Sequence, residues 1–155
     1  MTPQRKILWI GLSIYATSFF LTAVGPSALP IRGYFCAAFA LVQPLQSTPL
    51  RHGGIYEARR LEYFAVIASG WVNPIFLIAT ILNSTGLHQR SAKVLKTMVV
   101  VMIPFSCVVF HYEHFYPREG YFLWVLGMLL ALFADELVQL APRNVLQPRG
   151  RAAEN

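Results

Sequence analysis

The sequence has few charged residues, few cysteines and none of the common motifs for nucleotide binding or nucleophilic catalysis. Only 13% of its 155 residues are charged, against about 25% in an average soluble domain. Its two cysteines, Cys36 and Cys107, are too few for a disulfide framework or a metal motif, and free thiols are expected. A Gly-rich phosphate loop, a nucleophile elbow and a Cys-x-x-Cys pair are all missing. The sequence therefore identifies no catalytic residue and no cofactor.

Long apolar stretches dominate instead, and the polar residues cluster between them. Hydrophobic residues make up 55% of the chain, and an amphipathic helix of a soluble domain could not use such uninterrupted stretches because it needs a wet face. The net charge of +6 could suggest nucleic acid. The basic residues flank the apolar stretches, however, where membrane proteins carry their orientation signals. A lipid bilayer is therefore the predicted partner, and nucleic acid is not.

Hydropathy predicts an all-α integral membrane protein, with four transmembrane helices in one bundle that covers residues 1–155. A spanning helix needs about 20 apolar residues, and four stretches come near that length: 7–29, 61–82, 93–110 and 121–140. The first could instead be a signal peptide, but it exceeds the usual apolar region of about 7–15 residues. The shorter stretch 34–45 predicts an interfacial or re-entrant helix. Residues 143–155 form a predicted flexible tail.

The basic residues predict an orientation for this four-span topology. More of them lie near the span ends on the side that carries both termini, among them Arg5, Lys6, Arg90 and Arg143. The positive-inside rule then predicts a multi-pass protein with both termini in the cytoplasm. The compact layout and the short termini favour a bacterial inner membrane.

Four charged residues form a predicted ion cluster at the cytoplasmic interface: Lys93, Lys96, Asp135 and Glu136. In an antiparallel hairpin of the third and fourth spans, Lys96 would lie level with Asp135. Asp135 and Glu136 near the end of one long helix would oppose its macrodipole, and the lysines would offset that cost. A proton relay is the alternative, but it would need further carboxylates deeper in the membrane.

Ser69, Asn73 and Thr80 form a predicted polar stripe on the second span. Buried polar groups in lipid need partners, so we expect this stripe to hold helices together. The expected partners are the carbonyl freed by Pro74 or a neighbouring helix that carries Ser13, Thr17 or Ser106. Gly11, Ser18 and Gly25 on the first span predict a close-approach face, as do Gly127 and Ala131 on the fourth.

The segment after the third span holds the best candidates for a metal site: His111, Glu113 and His114. Two histidines three residues apart share a helix face, and imidazole with carboxylate suits zinc or a similar divalent ion. The spacing differs from the zincin His-Glu-x-x-His motif. Histidine and tyrosine are also common residues at a membrane interface, which is the alternative interpretation.

Together these features favour a small polytopic membrane protein, without catalytic activity, that acts as an accessory or interaction subunit. Its expected partners are lipids and other membrane subunits or a second copy of itself. One alternative is a membrane enzyme or metal-binding protein that uses the His111–His114 segment. Another is a small transporter or pore around Asn73 and Pro74, since a broken helix can line a midplane site.

Overall fold

The computed structural model describes residues 1–25, 30–42, 60–86, 88–112 and 116–140. These residues are mainly helical, as predicted, and form six helices and two short strands. The elements, in chain order, are α1 (Pro3–Ser18), β1 (Thr22–Val24), β2 (Ile31–Arg32), α2 (Gly33–Val42), α3 (Arg60–Thr85), α4 (Gln89–Tyr112), α5 (Glu119–Leu132) and α6 (Ala134–Leu140). Helix α2 corresponds to the short helix predicted over 34–45. The predicted tail, 143–155, lies outside the described residues.

Two helix pairs organise the structure, α1 with α5 and α3 with α4. The α1–α5 crossing is close because glycines meet there. A Cβ atom added at Gly11 would lie 2.6 Å from the backbone nitrogen of Ala131, and one added at Gly127 would lie 2.5 Å from the backbone nitrogen of Tyr15. Gly11 of one predicted small-residue face therefore packs against Gly127 and Ala131 of the other, and only glycine fits at this crossing. Ser18 lies against Gly33 instead, and Gly25 lies beyond the end of α1.

Helix α1 ends much earlier than the predicted first span, 7–29. After Ser18 the chain turns, and β1 pairs antiparallel with β2 through Thr22 and Arg32. Val24 also bridges to Pro117. The β-branched residues at 22 and 24 find strand partners here, and hydropathy cannot distinguish this apolar strand from a continuing helix.

The predicted fourth span, 121–140, is broken into two helices. Helix α5 ends at Leu132, Phe133 leaves the helical conformation, and α6 departs at an angle of 72°. Asp135 and Glu136 therefore lie in the first turn of α6 rather than near the end of a long helix. Carboxylates in a first turn are favoured by the helix macrodipole, so the predicted dipole conflict does not arise.

The four-span prediction is wrong. Within the residues that the structure describes, only α4 is long and apolar enough to cross a membrane, over Gln89–Val108, and the bent α5–α6 pair raises the number to two. Helix α1 has only 16 residues and α5 only 14, fewer than the about 20 that a span requires. Helix α3 has 26 residues and contains Pro74, and its described part does not qualify as a span.

The buried core lies where the two helix pairs meet. It contains Phe76 and Val72 of α3, Val99 of α4, Met128 and Leu132 of α5, and Tyr15 of α1. Tyr15 packs its ring against Phe76, with centroids 4.7 Å apart. Many other large apolar side chains of these same helices point outward and remain exposed.

Candidate functional site

A polar junction at the centre of the structure joins three helices. The side-chain oxygen of Asn73 in α3 accepts two hydrogen bonds, from the Tyr15 hydroxyl of α1 at 3.0 Å and from the Trp124 indole nitrogen of α5 at 2.9 Å. All three residues are wholly or partly buried. An amide oxygen has two lone pairs, so these two donors use its full acceptor capacity.

The partners of Asn73 differ from those expected from the sequence. The hydroxyl of Thr17 donates to the carbonyl of Ser13 in its own helix at 2.8 Å, and Ser106 lies against Tyr121 instead. Tyr15 and Trp124 were not predicted as partners because aromatic side chains count as apolar in a hydropathy pattern. Tyr15 follows Gly11 by four residues on the packed face of α1, and that position was the available signal for an inward hydroxyl.

The other two residues of the predicted polar stripe lie on the same helix. Thr80 is only 7% exposed, and its hydroxyl oxygen has no hydrogen-bond partner in the described part of the chain. Ser69 is half-buried, one turn before Asn73. Leaving a buried hydroxyl unpaired costs roughly 1–3 kcal/mol, so Thr80 is a local weakness in an otherwise well-paired interior.

A second polar cluster lies where α6 crosses the ends of α1, α3 and α4. Asp135 accepts hydrogen bonds from the side-chain amides of Gln4 and Asn83, the latter at 3.1 Å. Glu136 forms an ion pair with Lys96. The ammonium nitrogen of Lys96 also lies 4.0 Å from the centre of the Phe133 ring, within the range of a cation–π interaction.

The structure thus brings together part of the predicted ion cluster. Lys96 and Glu136 pair directly, whereas Asp135 binds two amides that sequence analysis had not considered. Lys93 is exposed, one turn before Lys96 on α4. The contacts of Asp135 and Glu136 fasten α6 to three other helices.

A third cluster lies near the opposite end of α4. The Tyr121 hydroxyl is 2.9 Å from the Ser106 hydroxyl and 3.2 Å from the Cys107 sulfur. Both cysteines are free thiols, as expected. Burial raises the pKa of the Cys36 thiol in α2 to about 11, which keeps it protonated and unreactive at neutral pH.

The predicted metal ligands fall mostly outside the part of the chain that the structure describes. His111 belongs to the last turn of α4, and Glu113 and His114 lie in the gap between 112 and 116. Within the described ranges, no three histidine, cysteine, aspartate or glutamate residues come together as a metal site would require. The metal hypothesis therefore gains no support from the described side chains.

No known protein family, curated protein or solved structure matches the chain.

Proposed function

We propose that this chain is a small helical membrane protein that acts as a non-catalytic accessory or interaction subunit, through helix and lipid contacts. The observation that carries the proposal is the distribution of its side chains. Large apolar residues lie exposed on the outside of several helices, while close-packed glycines and hydrogen-bonded polar groups lie beside the apolar core between the helices. A soluble protein usually exposes such large apolar side chains singly rather than on several helices.

The outer apolar surface extends over several helices. Phe122 of α5 is 60% exposed and Ile78 of α3 is 50% exposed, and α1 and α4 carry similar residues. Only 17% of the spanning segment of α4 is buried, whereas the apolar core helix of a soluble protein would be mostly buried. Exposed large apolar side chains on several helices favour a lipid or protein environment over water.

The interior also has the character of a membrane helix interface. Gly11 and Gly127 bring two backbones into contact, and Asn73 links three helices by side-chain hydrogen bonds. Helices in lipid associate through close packing of small residues and through such bonds, because lipid provides no hydrophobic drive between them. The full use of the Asn73 oxygen favours packing over the transporter hypothesis.

The polar cluster at α6 supports an orientation. Gln4 and Asp135 are hydrogen-bonded, so the beginning of α1 and the beginning of α6 lie at the same end of the molecule. Lys96 places the first turns of α4 at that end as well. We infer that this basic end, defined by Arg5, Lys6, Arg90 and Lys93, faces the cytoplasm, in accordance with the positive-inside rule.

Two lysine substitutions on the outer face of α4 test membrane insertion. Val101 and Ser91 are both exposed, so a soluble protein would tolerate lysine at either position within about 0.5 kcal/mol. In a membrane, Val101→Lys places a charge among acyl chains at a cost of roughly 3 kcal/mol, whereas Ser91→Lys adds one near the headgroups. We expect the wild-type chain and Ser91→Lys to resist alkaline carbonate extraction, and Val101→Lys to be depleted from the membrane fraction.

Release of the wild-type chain by carbonate would contradict membrane insertion. The subunit role needs a separate measurement, namely mass spectrometry of the full chain extracted gently from its native membrane. A stoichiometric second chain, or a second copy, is expected. A chain that is recovered alone and monomeric would count against the subunit role.

A further inference from the structure

We propose that the outer face of α4 binds an anionic phospholipid, with the headgroup at Arg90 and Lys93 and an acyl chain along Val94, Met98 and Val101. The inference rests on the proposed membrane location and adds to it a preferred lipid class and a position. Two independent features support the proposal, namely the arrangement of basic and apolar residues along the exposed face and the excess of positive charge at its basic end.

The exposed face of α4 has the two-part character of a phospholipid. Residues 90, 94, 98 and 101 recur at intervals of three or four, so they lie on one side of the helix. Val94 is 59% exposed and Val101 is 57% exposed, and Met98 between them is also exposed. The eleven helical rises from Arg90 to Val101 cover about 16 Å, which matches half of a hydrocarbon core of about 30 Å.

The charges at the basic end leave Arg90 without a carboxylate partner among the described residues, and Lys93 lies near Glu136 but forms no ion pair with it. Glu136 is paired with Lys96, and Asp135 accepts hydrogen bonds from two amides. Lys96–Glu136 is the only ion pair among the residues that the structure describes, and the first turn of α4 contains no acidic residue. Arg5 and Lys6 of α1 add further exposed positive charge at the same end.

Charge complementarity therefore selects the headgroup. A phosphodiester that carries net negative charge would gain roughly 1 kcal/mol from each basic side chain near the membrane surface. A zwitterionic headgroup would gain much less. A free phosphate would satisfy the two cations but would leave the apolar part of the face exposed.

The test uses the full chain in vesicles of equal parts phosphatidylcholine and phosphatidylglycerol, with native mass spectrometry of the lipids that remain bound. We expect phosphatidylglycerol to be enriched among the bound lipids. Arg90→Gln/Lys93→Gln should lower that enrichment by roughly tenfold or more. The charge-preserving exchange Arg90→Lys/Lys93→Arg should retain it.

A matched control removes two charges from the other end of the molecule. Arg32 and Arg118 are exposed beside β1, away from the basic end, and Arg32→Gln/Arg118→Gln should retain the enrichment. Equal loss in both glutamine pairs, or no enrichment in the wild-type chain, would overturn the lipid site. Displacement of phosphatidylglycerol by excess inorganic phosphate or by polyglutamate would overturn the lipid assignment in favour of a soluble anion or an acidic protein segment.

These outcomes are separable from failure of the proposed function. A chain that resists carbonate extraction from phosphatidylcholine vesicles, yet shows no preference for phosphatidylglycerol, would refute the lipid site alone. A chain that carbonate releases from both kinds of vesicle would refute membrane insertion itself.

Discussion

The glycine crossing between α1 and α5 offers the most direct test of the packing described here, through Gly127→Ala. The new Cβ atom would lie 2.5 Å from the backbone nitrogen of Tyr15, 2.8 Å from its Cα atom and 2.9 Å from the carbonyl oxygen of Gly11, against 3.4–4 Å for ordinary contact. All three are backbone atoms, so no side-chain rotation can relieve the clash. The two helices must separate by about 1 Å, a change of the kind that typically costs 1–3 kcal/mol.

The sign of the effect distinguishes this packing from a lone α5 helix. Alanine exceeds glycine in intrinsic helix propensity by about 1 kcal/mol, so Gly127→Ala would stabilise α5 if nothing lay against it. In the packed structure we expect a net loss instead. Separation of the helices would also stretch the hydrogen bond between Tyr15 and Asn73, which adds to the loss.

Thermal unfolding of the full chain in detergent, followed by far-UV circular dichroism, measures the difference. We expect Tm of Gly127→Ala to fall by several degrees. Ser13→Ala is the matched control, since it also adds helix propensity but lies on the exposed face of α1; its Tm should be unchanged or slightly higher. A Tm for Gly127→Ala equal to or above that of the wild-type chain would refute the close crossing.

Three further predictions concern the polar groups. Asn73→Leu leaves the donors of Tyr15 and Trp124 unpaired and should lower the free energy of unfolding by about 1–3 kcal/mol. A double-mutant cycle with Trp124→Phe should show coupling between the two residues, and additive effects would contradict the hydrogen bond between Asn73 and Trp124. Thr80→Val removes an unpaired buried hydroxyl, so the free energy of unfolding should be unchanged or up to about 1 kcal/mol higher; a clear loss would reveal a partner for this hydroxyl. The pKa of the Cys36 thiol is about 11 rather than 9.0. In a Cys107→Ala background, alkylation of Cys36 at pH 7 should therefore be about 100-fold slower than that of a free thiol, and its rate should rise up to pH 11. Fast alkylation at pH 7 would contradict the burial of Cys36.

The predictability of the candidate site varied from one residue to another. Asn73 could be singled out because a strongly polar side chain in an apolar stretch needs a partner. Its partners could not be predicted, because Tyr15 and Trp124 come from segments more than fifty positions away and carry polar groups on otherwise apolar side chains. Hairpin symmetry placed Lys96 level with Asp135, whereas in the structure Lys96 pairs with the next residue, Glu136. Gln4 and Asn83, which bind Asp135, had no such signal.

What the sequence determined by itself is the helical character, the positions of α2, α3 and α4, and the glycine face shared by α1 and α5. These follow from local composition, since hydropathy and small-residue spacing act within one segment. Only the tertiary structure decided where the apolar stretches break. The chain leaves helix after Ser18 because β1 finds a partner in β2, and it turns at Phe133 as α6 binds the ends of three other helices. Such contacts join residues that are distant in sequence, and a hydropathy average over one stretch contains no term for them.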